Sequence, residues 1–352
     1  DDARDLPGFT GGTMSKIDTI LLAHGGGGRL THELVTDAFL PAFSNPALAV
    51  LSDSAVLAEL PPGRPALTTD AFVVDPLEFP GGDLGVLSVC GTVNDLAVAG
   101  ARPLWLTFAV ILEEGLDGAL LQRLVAGAAR AAAEAGVAIV AGDTKVVPRG
   151  KGDRAFIVTA GLGVVPPGRD LGDGRIAAGD VLLVSGPIAE HGATIVACRH
   201  DLAGPGLRSD CAPLASLVEA LLASGADVHA MHDPTRGGVA TTCNEVASRS
   251  GLRIVIDETA VPVSPQVASV CEVLGLDPLY IASEGRLLAW VAADHAARAL
   301  DALRAHPLGA GAVAIGRVEA RVAGRAPVAL ATAFGVERPL DLLVGGEVPR
   351  IC

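Results

Sequence analysis

The 352-residue chain reads as a two-domain α/β protein. Three observations predict this. Short apolar runs alternate with amphipathic helical patterns, the arrangement that packs helices onto sheets. The length is enough for two hydrophobic cores. Pro166-Pro167-Gly168 interrupts the alternation near its middle. The expected organisation is an extra, disordered N-terminal segment over 1–16, a first domain over 17–165, a second over 166–340 and a mobile tail over 341–352.

Half of the residues are hydrophobic but only 3% are aromatic, so the core must be built from Ala, Val and Leu. No apolar run reaches the roughly 18 residues needed to span a bilayer. The alanine-rich stretch 119–140 is broken by Gln122, Arg123, Arg130 and Glu134. No secretory signal is visible, and Met14 is a candidate natural start. A net charge of −14 argues against nucleic acid or an anionic membrane as a partner. It leaves nucleotides open, because carboxylates hold them through a metal. None of Cys90, Cys198, Cys211, Cys243, Cys271 and Cys352 forms a C-x-x-C pair. Most lie in apolar stretches, which suggests free thiols in a reducing cytoplasm.

In chain order, the apolar run 17–23 suggests a first strand, followed by the turn His24-Gly25-Gly26-Gly27-Gly28 and a helix over 30–39. The glycines either let backbone N–H groups approach an anion or simply make a flexible turn. Runs 50–53 and 66–70 read as short strands ending in Asp53 and Asp70. Asp83 is a candidate N-cap for a helix running to about Ala99, with Asn94 and Asp95 interrupting its apolar face. Residues 105–112 predict a strand, and Leu120, Leu121, Leu124, Val125, Ala128 and Ala132 an amphipathic helix stopped by Gly136. The strand 137–140 is expected to present Asp143 and Lys145 just past its end, as a site or as a surface turn. Strand 156–165 closes this half.

The second half opens with strand 181–184 and a helix from about Ala193. At His232-Asp233-Pro234-Thr235-Arg236-Gly237-Gly238, Asp233 reads as an N-cap with Pro234 at the first helical turn. Arg236, Gly237 and Gly238 add an anion-ready helix start that capping does not require. Strands 254–256, 287–292 and 312–318 and a helix over 295–306 complete the pattern. Gly309-x-Gly311-x-x-Ala314 loosely fits a dinucleotide fingerprint but precedes a strand-like run, so its context fails.

Asp53, Asp70, Asp95, Asp143 and Asp233 all fall at expected element ends, and gathered carboxylates suit Mg²⁺ shared with phosphates. Spacing alone does not show that they converge. The tail ends Val348-Pro349-Arg350-Ile351-Cys352 after Gly345 and Gly346. Twelve extended residues reach roughly 40 Å, far enough to carry a thiol between two sites. A free thiol titrates near ~8.5, so it needs to be handed an activated group.

Several segments taken in order resemble the HypE family of hydrogenase maturation factors, the carbamoyl dehydratases. They are Leu22-Ala23-His24-Gly25, Thr69-Asp70, Asp75-Pro76-Leu77, Phe79-Pro80-Gly81-Gly82 and Cys90-Gly91-Thr92-Val93-Asn94-Asp95. With them go Ile111-Leu112-Glu113-Glu114-Gly115, Gly142-Asp143-Thr144-Lys145-Val146-Val147, His191-Gly192-Ala193-Thr194, Thr235-Arg236-Gly237-Gly238 and the terminal Pro349-Arg350-Ile351-Cys352. The resemblance runs from about Ile17 to Cys352 and extends to the ATP-using enzymes similar to aminoimidazole ribonucleotide synthetase. It implies a two-domain α/β fold whose N-terminal domains pair into a homodimer with a central β-barrel, with ATP near that interface.

It further implies that Asp70, Asp95 and Asp233 hold Mg²⁺ and phosphates. Asp53, Asn94 and Asp143 support them, and His24, Gly25, Gly26, Gly27, Arg236, Gly237 and Gly238 contact the nucleotide. The implied reaction is ATP-dependent dehydration of a carbamoyl group that HypF places on Cys352. The resulting thiocyanate passes cyanide to a HypC–HypD scaffold for the nickel–iron centre. Lys145 and Glu284 are the residues expected near the carbamoyl group, with Glu284 the favoured base and His232 a weaker candidate. Family members often carry Asn-Glu-Gly-Lys where this chain has Ser283-Glu284-Gly285-Arg286, and arginine does not titrate as a base. A sister ATP-dependent synthetase or kinase, indifferent to loss of Cys352, and a thiol carrier without ATP hydrolysis are the alternatives.

Overall fold

A computed structural model describes residues 17–343, 345 and 350–352. The expected segment 1–16, and Gly346, Val348 and Pro349 of the expected tail, lie outside the described residues.

The first half is built on a four-stranded sheet of β1 (Arg64–Phe72), β2 (Arg102–Glu113), β3 (Ala138–Val147) and β4 (Ala155–Val165), in the order β1-β4-β2-β3. Only β2 and β3 run parallel, joined by the helix α2. Period-two alternation divides the faces. Leu106, Phe108, Val110 and Leu112 of β2 point into a core covered by α1 (Leu84–Val98) and α2 (Gly118–Ala135). Asp83 caps α1 by accepting the Val86 N–H at 2.9 Å, and Gly136 ends α2 in the left-handed region, both as the sequence predicts. The other sheet face is uncovered. Leu67, Thr69 and Ala71 of β1 register against Leu162, Ala160 and Val158 of β4, and these against Trp105, Thr107 and Ala109 of β2.

The second half is a seven-stranded sheet of β5 (Val181–Val184), β6 (Val228–His232), β7 (Arg253–Asp257), β8 (Leu288–Val291), β9 (Val313–Glu319), β10 (Val328–Ala331) and β11 (Glu337–Pro339). Its order is β11-β10-β7-β9-β5-β8-β6. Both faces are covered, which is why its strands are continuous apolar runs. Leu182 and Val184 point to the core shared with α3 (Glu190–Arg199), α5 (Gly238–Ser250) and α6 (Pro265–Leu274). Leu183, between them, points to the core of α4 (Ala215–Ala223) and α7 (Ala296–Arg304). Among the described residues, no helix is long and apolar enough to cross a membrane.

Four local expectations are corrected. Residues 17–23 form no strand beyond a single bridge at Thr19, and Leu22–Gly25 is a 3₁₀ turn. Residues 50–53 follow the short helix Pro46–Ala49 and pair with no strand. Asp143 and Lys145 lie inside β3, because its ladder with β2 continues to Val147. Asp233 is not a cap: Gly237 occupies the N-cap of α5, leaving Asp233 in the loop after β6. The fingerprint-like Gly309–Ala314 runs from a 3₁₀ turn into β9 and starts no helix.

α1 and α2 approach so closely that a Cβ added at Gly85 would stand 1.8 Å from the Leu124 carbonyl oxygen. A backbone atom cannot rotate away. Gly85→Ala should therefore destabilise the protein by about 2 kcal/mol or more despite its better helix propensity, read as a lower urea midpoint at unchanged slope.

Candidate functional site

α1 is the seam of the molecule: all but two of its residues are buried, and its last turn, Ala97 and Val98, packs into the second half. Asn94, fully buried, donates from Nδ2 to the carbonyls of Ala212 and Glu284, each at 3.1 Å, and accepts the Leu214 N–H at 2.7 Å. Its amide N–H groups are thereby used within the chain. Asn94, expected beside the nucleotide, is a staple between the halves.

Beside that staple lies an acidic cluster. Asp70 leaves β1 on the α1 side, and Asp95 follows Asn94 on α1, its Oδ2 accepting the Thr68 hydroxyl at 2.7 Å. Asp233 comes from the loop after β6. Burial, and then the charges of Asp95 and Asp70, push Asp233 up to about 7. Burial and the nearby Asp70 likewise raise Asp95 against the opposing pull of Arg236 and the Thr68 bond. These are oxygen donors that repel one another, which a hard cation relieves. Among the described residues, no three His, Cys, Asp or Glu side chains gather tightly enough to form a closed metal cage. The donor set fits Mg²⁺ completed by phosphate oxygens and water.

Glu284 is the floor of the cluster. It is 1% exposed, and its Oε1 has no hydrogen-bond partner within the chain. Burial raises its carboxyl well above the usual range, and Asp233, Asp210 and Asp70 add to the shift. Its backbone N–H donates to Asp210 Oδ1 at 3.0 Å. A Cβ on the next residue, Gly285, would stand 1.8 Å from the Asp210 carbonyl oxygen, so only glycine lets the two loops meet. Arg286 pairs with Glu190 at 2.5 Å and lies 3.5 Å from Asp210 Oδ2.

Cys352 is seated in this cluster. Its thiol is held far up, first by burial and then by the charge of Glu284, with Asp70 adding to and Arg236 opposing the shift. The preceding residues are anchored. Ile351 is buried and its carbonyl accepts from His191 Nε2 at 2.5 Å. The Arg350 carbonyl accepts the Asp75 N–H at 3.3 Å and a short bond from the Arg199 guanidinium, while its own guanidinium pairs with Asp153 and Asp75. His191, Ser209, Asp210 and Arg199 are site residues that sequence reading does not single out by role; only the His191-Gly192 segment carries a signal.

Of the remaining expected residues, Asp143 and Lys145 lie on the uncovered sheet face, Asp53, His24 and the glycine turn lie at the β3 edge, and Arg236, Gly237 and Gly238 lie at the start of α5. Asp143 registers beside Ala109 and Ala71, on the uncovered face, and Lys145 Nζ lies 2.7 Å from both Asp143 oxygens. Lys145 is not among the charges acting on Cys352. Asp53, Asp143, Thr31 and Thr144 line a cavity of about 250 Å³ at the β3 edge, floored by Phe39, Phe43 and Phe108. The glycine turn packs alongside, with Gly25 against Val146. His24 is turned inward, its Nδ1 accepting the Leu21 N–H at 2.8 Å. Gly26, Gly27 and Gly28 face little, the nearest atom being the Ala23 carbonyl, 3.5 Å from a Cβ placed at Gly26. Arg236 is exposed near Cys352 and Asp95, and Gly237 and Gly238 carry the positive φ that starts α5. His232 Nε2 lies 2.7 Å from Asp173, and its ring meets Trp290 edge-on.

The chain matches the models for AIR synthase related protein, N-terminal domain over residues 51–165 and C-terminal domain over 177–328. It is 52% identical over 339 residues to carbamoyl dehydratase HypE of Rhodobacter capsulatus, covering 95% of this chain and 98% of that protein. A solved structure of hydrogenase maturation protein HypE in complex with ATP superposes with a TM-score of 0.90 at 46% identity, covering 94% of this chain and 99% of that one. HypE in a HypE–HypF complex gives a TM-score of 0.76 at 42% identity, covering 88% and 99%. Identity at this level across nearly the full length, with the terminal cysteine set in an acidic cleft between two AIR synthase-like halves, places the chain in the HypE family of carbamoyl dehydratases.

Proposed function

We propose that this protein uses ATP to dehydrate a carbamoyl group carried as a thiocarbamate on Cys352, giving a thiocyanate for hydrogenase maturation. The observation that carries this reading is the Cys352 thiol seated against Glu284 beside Asp70 and Arg236. The thiocarbamate oxygen attacks the γ-phosphorus of ATP, ADP leaves, and one N–H proton is released. The C–O bond then breaks, phosphate leaves with the electron pair, and the second N–H proton passes to Glu284 as C≡N forms. Asp70, Asp95 and Asp233 would hold magnesium, which supplies charge neutralisation for the transferring phosphoryl group. Arg236 and the α5 start at Gly237–Gly238 face the developing phosphate charge.

HypF loads the thiol, and the HypC–HypD scaffold takes the cyanide, both in the cytoplasm. The two domains run over 17–165 and 166–340, and the tail over 341–352 carries the reactive Cys352. Asp143, Asp53, His24 and the glycine turn serve the nucleotide at and beside the β3 edge, and Lys145 acts on the carbamoyl group. A second copy packs its own sheet on that face and closes a barrel. The apolar row of Leu67, Trp105, Ile111, Phe156 and Leu162 supports this, Leu67 being 77% exposed.

Mass analysis of the C-terminal peptide, after incubation with the carbamoyltransferase, carbamoyl phosphate and Mg-ATP, should show a carbamoyl gain on Cys352 and then loss of one water. Glu284→Gln should retain the gain and slow the loss by about 10²-fold or more. An adduct that loses water at the native rate in this variant removes Glu284 as the base.

The pH dependence has a definite sign. Glu284 acts as a base only when ionised, and burial with the neighbouring aspartates holds its carboxyl well above the ordinary glutamate value of 4.5. The rate of water loss should therefore fall on acidification while the pH is still above that value. A profile flat down to pH 4.5 contradicts the assignment.

Sedimentation should find a dimer. Leu67→Glu, on a side chain that the monomer does not bury, should shift it to monomer without lowering thermal stability.

A further inference from the structure

The tail is held mostly through its backbone. Ile351 is buried, but its carbonyl must still be satisfied, and among the described residues His191 Nε2 donates to it at 2.5 Å. A carbonyl cannot donate, so the Nε2 carries the proton. The Nδ1 of the neutral ring then accepts from the Ser209 hydroxyl at 2.8 Å, and Ser209 Oγ in turn accepts the Cys211 N–H at 3.1 Å. Burial holds His191 neutral down to about 4, consistent with that tautomer. Phe79 meets the ring edge-on at 5.4 Å and fixes its plane. The neighbouring Asp210 carboxyl accepts the main-chain N–H of Glu284 at 3.0 Å. One short segment, Ser209–Cys211, therefore sets the orientation of the histidine that grips the tail and the backbone of the glutamate that its thiol meets.

We propose that His191 is the positioning residue that docks the C-terminal tail, gripping the Ile351 carbonyl so that the Cys352 sulfur faces Glu284. This rests on the role proposed above for Cys352. It adds a neutral hydrogen bond at Ile351, next to the sulfur, to the bonds that Arg199 and the Asp75 N–H make to the Arg350 carbonyl. The Arg350 pairs with Asp75 and Asp153 are exposed and contribute less. His191 touches no reacting atom. Its effect is on the fraction of time that the thiol, or the group it carries, spends inside.

The test uses the full-length protein and iodoacetamide labelling of Cys352, followed by the mass of the C-terminal peptide. His191→Phe keeps the ring shape and removes the donor. Labelling should accelerate about tenfold, the shift in equilibrium that one buried hydrogen bond supports. In single turnover from pre-carbamoylated Cys352, water loss should slow by about the same factor, because both report the docked fraction. Loading of the thiol by the carbamoyltransferase, which needs the tail outside, should not slow. His191→Gln, whose amide N–H can reach the Nε2 position, should recover most of the native labelling rate. Ser209→Ala, which frees the ring but leaves the donor, should give an intermediate rate, and it carries the test if the phenylalanine variant does not fold.

Labelling within twofold of wild type in the folded His191→Phe protein, or in Ser209→Ala if it stands alone, overturns the proposal. So does equal slowing of loading and water loss, which marks a general structural defect. Should the wild-type protein never lose water from carbamoylated Cys352, the functional reading fails, but the labelling rates still decide the docking role.

Discussion

The structure depends on one buried carboxamide. Asn94 sits on a helix of the first half and spends its hydrogen bonds on Ala212, Leu214 and Glu284 of the second. An unmade bond at such a place leaves a buried polar group unsatisfied, at a cost of about 1–3 kcal/mol, so the two halves are tied at that point. Neither half alone contains the site. Asp70 and Asp95 come from the first, Asp233, Glu284 and Arg236 from the second, and Cys352 from the end of the sequence. The seam is also what makes α1 almost wholly buried, an uncommon state for a helix of a two-sheet protein, and why its apolar periodicity in sequence is blurred.

The charges around that seam are arranged against stability. Burial raises the carboxyls of Asp95, Asp233 and Glu284, and neighbouring charges add to it: Asp70 on all three, Asp95 on Asp233, and Asp233 on Glu284. A fold optimised only for stability would not gather these groups, nor leave Glu284 Oε1 without a partner. The same crowding makes sense for a site whose ligand brings compensating charge, and together with burial it raises the proton affinity of Glu284, as a base requires. Elsewhere the protein pairs its buried charge fully: Arg253, 2% exposed, is bracketed by Glu319 and Glu337.

The parts legible in the sequence are those set by local chemistry. The Asp83 cap, the Gly136 stop and the alternation of β2 are fixed by side chains within a few residues of where they act. The misread parts are those decided by distant partners. Residues 17–23 and 50–53 have strand composition but find no continuous ladder, so a period of two comes to nothing there. Asp143 and Lys145 were expected beyond a strand end because the apolar run stops at Val140, yet pairing with β2 carries the backbone onward through polar residues. Asp233 next to Pro234 looks like a cap, but two glycines with positive φ start α5 later. The aspartates are legible as a set; the placement of Asp70 and Asp143 on opposite faces of one sheet is not, because face depends on register. Ser209-Asp210-Cys211 carries no motif at all, and its importance exists only in three dimensions.

The docked thiol also constrains how the site is used. Burial and the Glu284 carboxyl keep Cys352 protonated, and a thiol is a far weaker nucleophile than a thiolate. Inside the cleft it is therefore protected from acylation and oxidation, and equally unable to be loaded. The environment that disables the free thiol suits the carried group: a neutral thiocarbamate loses nothing by leaving water, and a buried carboxylate is strongest as a base beside it. Loading and dehydration thus need opposite surroundings. A short chain end held by a few hydrogen bonds meets both requirements, because its docked state is stable enough to populate and weak enough to leave.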